Sequence, residues 1–71
     1  MNLQQITKII AREYNLPKTL SENILKTILE TIRQELKQNY VVRIRNFGTF
    51  QTRKSHGKPR AKFDDSKNFF K

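Results

Sequence analysis

Apolar residues in the first stretch of the chain fall at Leu3, Ile6, Ile9, Ile10 and Tyr14, three or four apart with polar residues between them. That period predicts an amphipathic helix over residues 3–14. Asn2 stands where its N-cap belongs, and Gln5, three residues on, completes a capping box. Asn15-Leu16-Pro17 predicts the end, because a residue before proline is disfavoured in the α region. A second stripe, Leu20, Ile24, Leu25, Ile28, Leu29, Ile32 and Leu36, predicts a longer helix with Thr19 and Glu22 as its capping box. Its polar face carries Glu22–Lys26 and Glu30–Arg33 at helix-pair spacing. The stripe is wide enough to pack against more than one neighbour.

After Asn39-Tyr40 the period changes. Val41, Val42 and Ile44, then Thr49 and Phe50, read as two strands around the turn Arg45-Asn46-Phe47-Gly48. Asn46 and Gly48 are both residue types that tolerate positive φ. Gln51 to Lys54 continues the second strand, Ser55-His56-Gly57-Lys58-Pro59 is a turn by composition, and Arg60 to Phe63 returns as a third strand. Asp64-Asp65-Ser66 is expected to cap a short final helix, Lys67 to Lys71, held only if Phe69 or Phe70 docks. The expected architecture is α+β, in the order α-α-β-β-β-α. It forms one domain over 1–71, with a helical part (1–38), a sheet (40–63) and a C-terminal helix (64–71); the resemblance given below makes the first the dimerisation part and the hairpin of the second a short arm.

Size sharpens this picture. A chain of 71 residues buries only about 60% of its unfolded surface. It has no cysteine, so neither a disulfide framework nor a cysteine zinc site supplements the core. Oligomerisation is the remaining remedy, and Ile28, Ile32, Leu36, Phe47, Phe50 and Phe63 are assigned to the core or a dimer interface. Met1-Asn2-Leu3 leads straight into the amphipathic pattern without a signal-like apolar region, and no apolar run has membrane-spanning length. The expected protein is soluble and cytoplasmic.

Charge then selects the partner. The formal net charge is +9, and nine of the fifteen Lys and Arg residues lie from Arg43 onward, against only Asp64 and Asp65. A basic ribbon behind a tight turn implies a polyanion, nucleic acid before an anionic membrane surface. Catalytic groups are not assembled: His56 has no second His, no Cys and no adjacent carboxylate, and Ser55 lacks a base. No enzyme activity, cofactor or metal is expected.

The element order, together with Phe47-Gly48-Thr49-Phe50 and the later Phe63-x-x-x-Lys67, resembles the HU and integration host factor family of bacterial histone-like DNA-binding proteins. The resemblance covers nearly the whole chain. It implies an intertwined dimer whose helices form a base and whose sheets form a saddle for double-stranded DNA. In the family, long β-ribbon arms enter the minor groove and a proline at each tip kinks the duplex. Here twelve residues separate Phe50 from Phe63, so the arm is a stub. The family's arginine-rich run and tip proline are missing, and Pro59 is not assigned the intercalating role. Asn46 stands where relatives usually carry glycine.

The resemblance also implies roles for individual residues. Arg45, before the turn, would enter a narrow minor groove, where negative potential is concentrated. Lys67, at the start of the last helix, matches a phosphate-contacting lysine of the family. Charge alone, with almost no acid nearby, assigns Arg43, Arg53, Lys54, Lys58, Arg60 and Lys62 to phosphates, with Asn46 at the turn. The implied function is architectural and nucleoid-associated: a homodimer binding DNA with weak sequence preference and reduced bending. The alternative is an interaction module that heterodimerises with a full-length relative and modulates it. RNA or general polyanion binding accounts for the charge but not for the turn.

Overall fold

The computed structural model describes all 71 residues, which form α1 (Leu3–Tyr14), α2 (Lys18–Lys37), β1 (Val42–Ile44), β2 (Gly48–Ser55) and β3 (Lys58–Asp65). The chain divides into two units, Met1–Glu30 and Thr31–Lys71.

In the first unit, α1 begins as the sequence predicts. Asn2 is extended, its Oδ1 accepts from the Gln5 amide at 3.0 Å, and Gln5 Oε1 accepts from the Asn2 amide at 2.8 Å. Two orphan donors are thus satisfied reciprocally. The helix ends on Asn15, whose φ of 53° is left-handed, with the Leu16 amide donating to the Ala11 carbonyl at 3.0 Å. The Thr19 capping box does not form. The Pro17 carbonyl accepts from both the Ser21 amide (3.0 Å) and the Ser21 hydroxyl (3.1 Å), so α2 starts at Lys18 and Thr19 lies inside its first turn.

Glu22 pairs with Lys26 instead, at 3.3 Å, and accepts from Gln4 Nε2 at 3.4 Å. Lys26, followed by Gln4, holds the Glu22 carboxyl below its ordinary value. A lowered folded-state pKa stabilises the fold above the ordinary carboxylate range and loses that contribution as pH falls through it. The pair is solvent-exposed, so this contribution is screened and small. Thr7 and Ser21 are fully buried, and each hydroxyl donates to the carbonyl four residues back, which leaves no buried polar side-chain atom unsatisfied. The apolar stripe, by contrast, is largely uncovered: Leu20 is 47% and Ile28 50% exposed.

The second unit opens on the last turns of α2. Asn39, at φ 63°, closes the helix while the Tyr40 amide donates to the Glu35 carbonyl and the Asn39 amide to that of Leu36, a Schellman arrangement. The sheet is antiparallel in the order β1-β2-β3. In the Arg45–Phe47 turn, Asn46 takes φ 62° and the Phe47 amide donates to the Ile44 carbonyl at 3.1 Å. Gly48 does not use the positive φ that glycine tolerates. It is needed for space: a Cβ there would lie 2.5 Å from the Phe63 ring and 2.6 Å from the Asp64 carbonyl.

Two further expectations are corrected. The distal turn is only His56-Gly57, both at positive φ (52° and 79°) as a type I′ hairpin requires, so Lys58 and Pro59 belong to β3. Proline is tolerated there because β3 is an edge strand. The C-terminal helix is absent. Asp64 and Asp65 sit in the ladder opposite Thr49 and Gly48, where they cannot cap a helix. The five residues after Ser66 are too few to nucleate one. They form turns instead, with the Phe69 amide donating to the Ser66 carbonyl at 2.9 Å and the Asn68 amide to the Ser66 hydroxyl at 3.2 Å.

Rings gather on one face of this sheet. Phe47 lies 5.3 Å from Phe63 and 4.9 Å from Phe69 between centroids, and Phe50 lies 4.9 Å from Phe63. Leu36 is the buried large aliphatic residue, and its carbonyl accepts from Thr52 Oγ1 at 2.7 Å. Ile32 is half-buried. Because the Gly48 contact involves backbone as well as ring, Gly48→Ala is expected to destabilise by about 1–3 kcal/mol or more. Thermal denaturation followed by circular dichroism checks this, and an unchanged midpoint would refute it.

Candidate nucleic-acid interface

Residues directly opposite each other in an antiparallel sheet share a face, and successive residues alternate. The register pairs Val42 with Phe50 and Phe50 with Phe63, so the ring-bearing face also holds Ile44, Gly48, Thr52, Lys54, Pro59, Ala61 and Asp65. The other face is set by the row Arg43–Thr49–Asp64. It carries Gln51 opposite Lys62, Arg53 opposite Arg60, and Ser55 opposite Lys58. Five of the nine DNA-contact candidates thus share one surface: Arg43, Arg53, Lys58, Arg60 and Lys62.

The remaining four lie elsewhere. Lys54 is on the ring-bearing face, opposite Pro59. Arg45 and Asn46 form the proximal turn. Lys67 is exposed in the C-terminal turn rather than at a helix start, so no helix dipole assists it. Asn46 and Lys67 nevertheless belong to linked turns, since Asn46 Oδ1 accepts from Asn68 Nδ2 at 3.2 Å. The Ser66 amide reinforces this link by donating to the Phe47 carbonyl at 2.9 Å.

Electrostatically the basic face is uneven. Arg53 and Arg60 stand directly opposite each other near the exposed end of the ribbon, like charge against like charge. Lys62 is different, with its Nζ 3.6 Å from Asp64 Oδ1. Asp64 Oδ2 also accepts from Gln51 Nε2. The sequence places Asp64 in an expected helix cap and singles out neither Thr49, Gln51 nor Asn68 for the site. Strict alternation outward from Phe50 was the signal that would have found the first two.

A small α+β chain with one cationic sheet face defines a nucleic-acid-binding class of protein. The family model described as bacterial DNA-binding protein matches residues 1–65, and the chain belongs to that family, the HU-type DNA-binding architectural proteins. Among solved structures, HU from Thermotoga maritima is 31% identical over 96% of this chain and 91% of its own, with a TM-score of 0.79. A point mutant of the same HU is 32% identical over 96% and 92%, with a TM-score of 0.85. Anabaena HU, solved as a cocrystal with DNA, shares the fold with a TM-score of 0.84 at 20% identity, over 97% and 92%. Curated protein sequences give no significant match. No helix is long and apolar enough to cross a membrane.

The left-handed turn residue gives a direct check of the local argument. Asn46→Gly is expected to be tolerated, whereas Asn46→Val, β-branched at φ 62°, should cost about 1–2 kcal/mol or more. Urea unfolding midpoints distinguish the two, and equal stability of both variants would contradict the assignment.

Proposed function

We propose that this chain is a homodimeric, nucleoid-associated protein that binds double-stranded DNA through phosphates and the minor groove, with weak sequence preference and limited bending. The observation that carries the reading is the opposed Arg53–Arg60 pair, with Lys58 on the same face. Like charges directly across a ladder are destabilising, and a polyanion is the natural counterweight. Phosphate contacts carry no sequence information, which supports weak preference. The DNA in the Anabaena HU cocrystal supports the same partner.

Dimerisation is supported by what one chain leaves uncovered. Leu29 is 50%, Tyr40 57%, Phe47 43% and Phe63 38% exposed, too much apolar surface for a stable soluble monomer. A related subunit would fit the same faces, which keeps the heterodimer as the second reading. Sedimentation tests the pairing: the chain should sediment as a dimer at micromolar concentration, and a folded monomer would refute this.

Limited bending follows from reach. Beyond the residues paired with β1, the ribbon has five residues per strand, 51–55 and 58–62. At roughly 3.3 Å per residue that is about 17 Å, enough to touch nearby phosphates but not to wrap a duplex. Its tip is His56-Gly57, and Pro59 sits within β3. Wedge insertion costs a few kcal/mol of unstacking per step, recovered only through wrapped contacts. Arg45, at the proximal turn, is assigned to the minor groove, where it would favour narrow AT-rich segments.

One experiment covers these roles. Salt-titrated binding and energy-transfer bending are measured on AT-rich and GC-rich duplexes for wild type, R53A/R60A, R45A and P59A. R53A/R60A should flatten the log–log salt slope by about 1.8 per ribbon, two contacts at 0.9 each, and by about 3.6 when both ribbons of the dimer lie on one duplex. R45A should weaken AT-rich binding more than GC-rich binding, and P59A should change neither affinity nor bend. A sharp bend lost in P59A would overturn the limited-bending reading. Equal losses in R45A would move Arg45 into the phosphate-contacting set.

A further inference from the structure

The basic face contains one acid. Asp64 shares that face with Arg43, Arg53, Lys58, Arg60 and Lys62, while Asp65 alternates to the opposite side. Its two oxygens are both occupied, Oδ1 by Lys62 Nζ at 3.6 Å and Oδ2 by Gln51 Nε2. The two partners stand directly opposite each other on β2 and β3. A side chain that merely filled a ladder position would not need both.

We propose that Asp64 is a positioning residue that holds Lys62 back from the DNA and keeps affinity below what the cationic face would otherwise deliver. This rests on the duplex-binding reading above. In the proximal rows Asp64 offsets one of two cations, Lys62 but not Arg43, and the distal rows, with Arg53, Arg60 and Lys58, hold no acid. DNA therefore meets the distal ribbon first. Engaging Lys62 requires its ammonium to leave a carboxylate that itself repels phosphate. The consequence is a protein with a modest phosphate count that can release DNA readily.

D64N removes the charge and keeps an oxygen for Gln51. It should bind a short duplex about two- to fivefold tighter, the range expected for one exposed charge pair. Its log–log salt slope should steepen by about 0.9 for each subunit whose Lys62 meets the duplex, one further ion released at each. Stabilising or loosening the ladder would not by itself change that slope. Fluorescence anisotropy with a salt titration reads both quantities for wild type, D64N, K62Q and D64N/K62Q, with circular dichroism as the folding control. The gain should vanish in the K62Q background.

Unchanged or weaker binding by D64N overturns the proposal. So does a gain that persists without Lys62, since Asp64 would then act as a bare repelling charge. If D64N unfolds the chain, K62Q against K58Q decides: K62Q should lose less affinity, and an equal or larger loss overturns the proposal. Wild-type failure to bind any duplex sinks the duplex reading and this inference together. Wild-type binding with an inert D64N sinks this inference alone.

Discussion

Everything on the sheet depends on the register between β2 and β3, and that register is held by Phe63. Its ring lies against Phe50 directly across the ladder and against Phe47 from the proximal turn, and it occupies the space a Gly48 side chain would need. A slip of one residue would turn every side chain of β3 to the other face. Phe63 would lose its aromatic neighbours, and Arg60 and Lys62 would move to the ring-bearing side. The cationic face is therefore a consequence of aromatic packing. On that face the Gln51–Asp64 bond, which also crosses from β2 to β3, adds to the same register.

The turns are built with an unusual economy of glycine. The chain has two, and only Gly57 uses its freedom at positive φ. Asn15, Asn39 and Asn46 take the other left-handed positions with His56, at φ between 52° and 63°. Asparagine suits this role because its short polar side chain tolerates the region with little strain. It can also do what glycine cannot. At Asn46 the side chain reaches Asn68, so the turn carrying Arg45 is tied to the C-terminal turn carrying Lys67. The C-terminal residues are thereby held by a hydrogen bond and by the Phe47–Phe69 contact rather than by helical structure.

Local signals account for what the sequence made legible. The Asn2–Gln5 box, the 3–14 helix, the α2 stripe and the Phe47-Gly48-Thr49-Phe50 turn are all short-range patterns, and all appear in the fold. The misreadings concern competition between local and ladder bonding. Asp64-Asp65-Ser66 looks like a cap in isolation, but opposite Thr49 and Gly48 the two acids extend a strand. Ser55 to Pro59 looks like a five-residue turn, but the His56-Gly57 pair can close the hairpin alone. Thr19 looks like a cap, but Pro17 opens the helix earlier. Within the site, the cations were readable as a cluster. Their division between two faces depends on where β3 begins and ends, and in the sequence Lys58 and Pro59 look like part of the turn and Asp64 like a helix cap.

Register and reach together constrain how such a ribbon can hold DNA. A hairpin with five residues per strand beyond the sheet has two cationic rows past Lys62, Arg53–Arg60 and Ser55–Lys58. Few phosphates can be met by so few rows, so affinity has to come from their quality or from doubling the site by symmetry. Guanidiniums answer the first need, since a planar fork can bind phosphate through two parallel hydrogen bonds where an ammonium offers a point charge. The uncovered helix stripe bears on the second, because the dimer proposed above would bring two ribbons into one assembly. Linked sites raise apparent affinity without any new contact, provided both can reach the same duplex. The hydrophobic surface that makes one chain incomplete is thus also what can make a short arm sufficient.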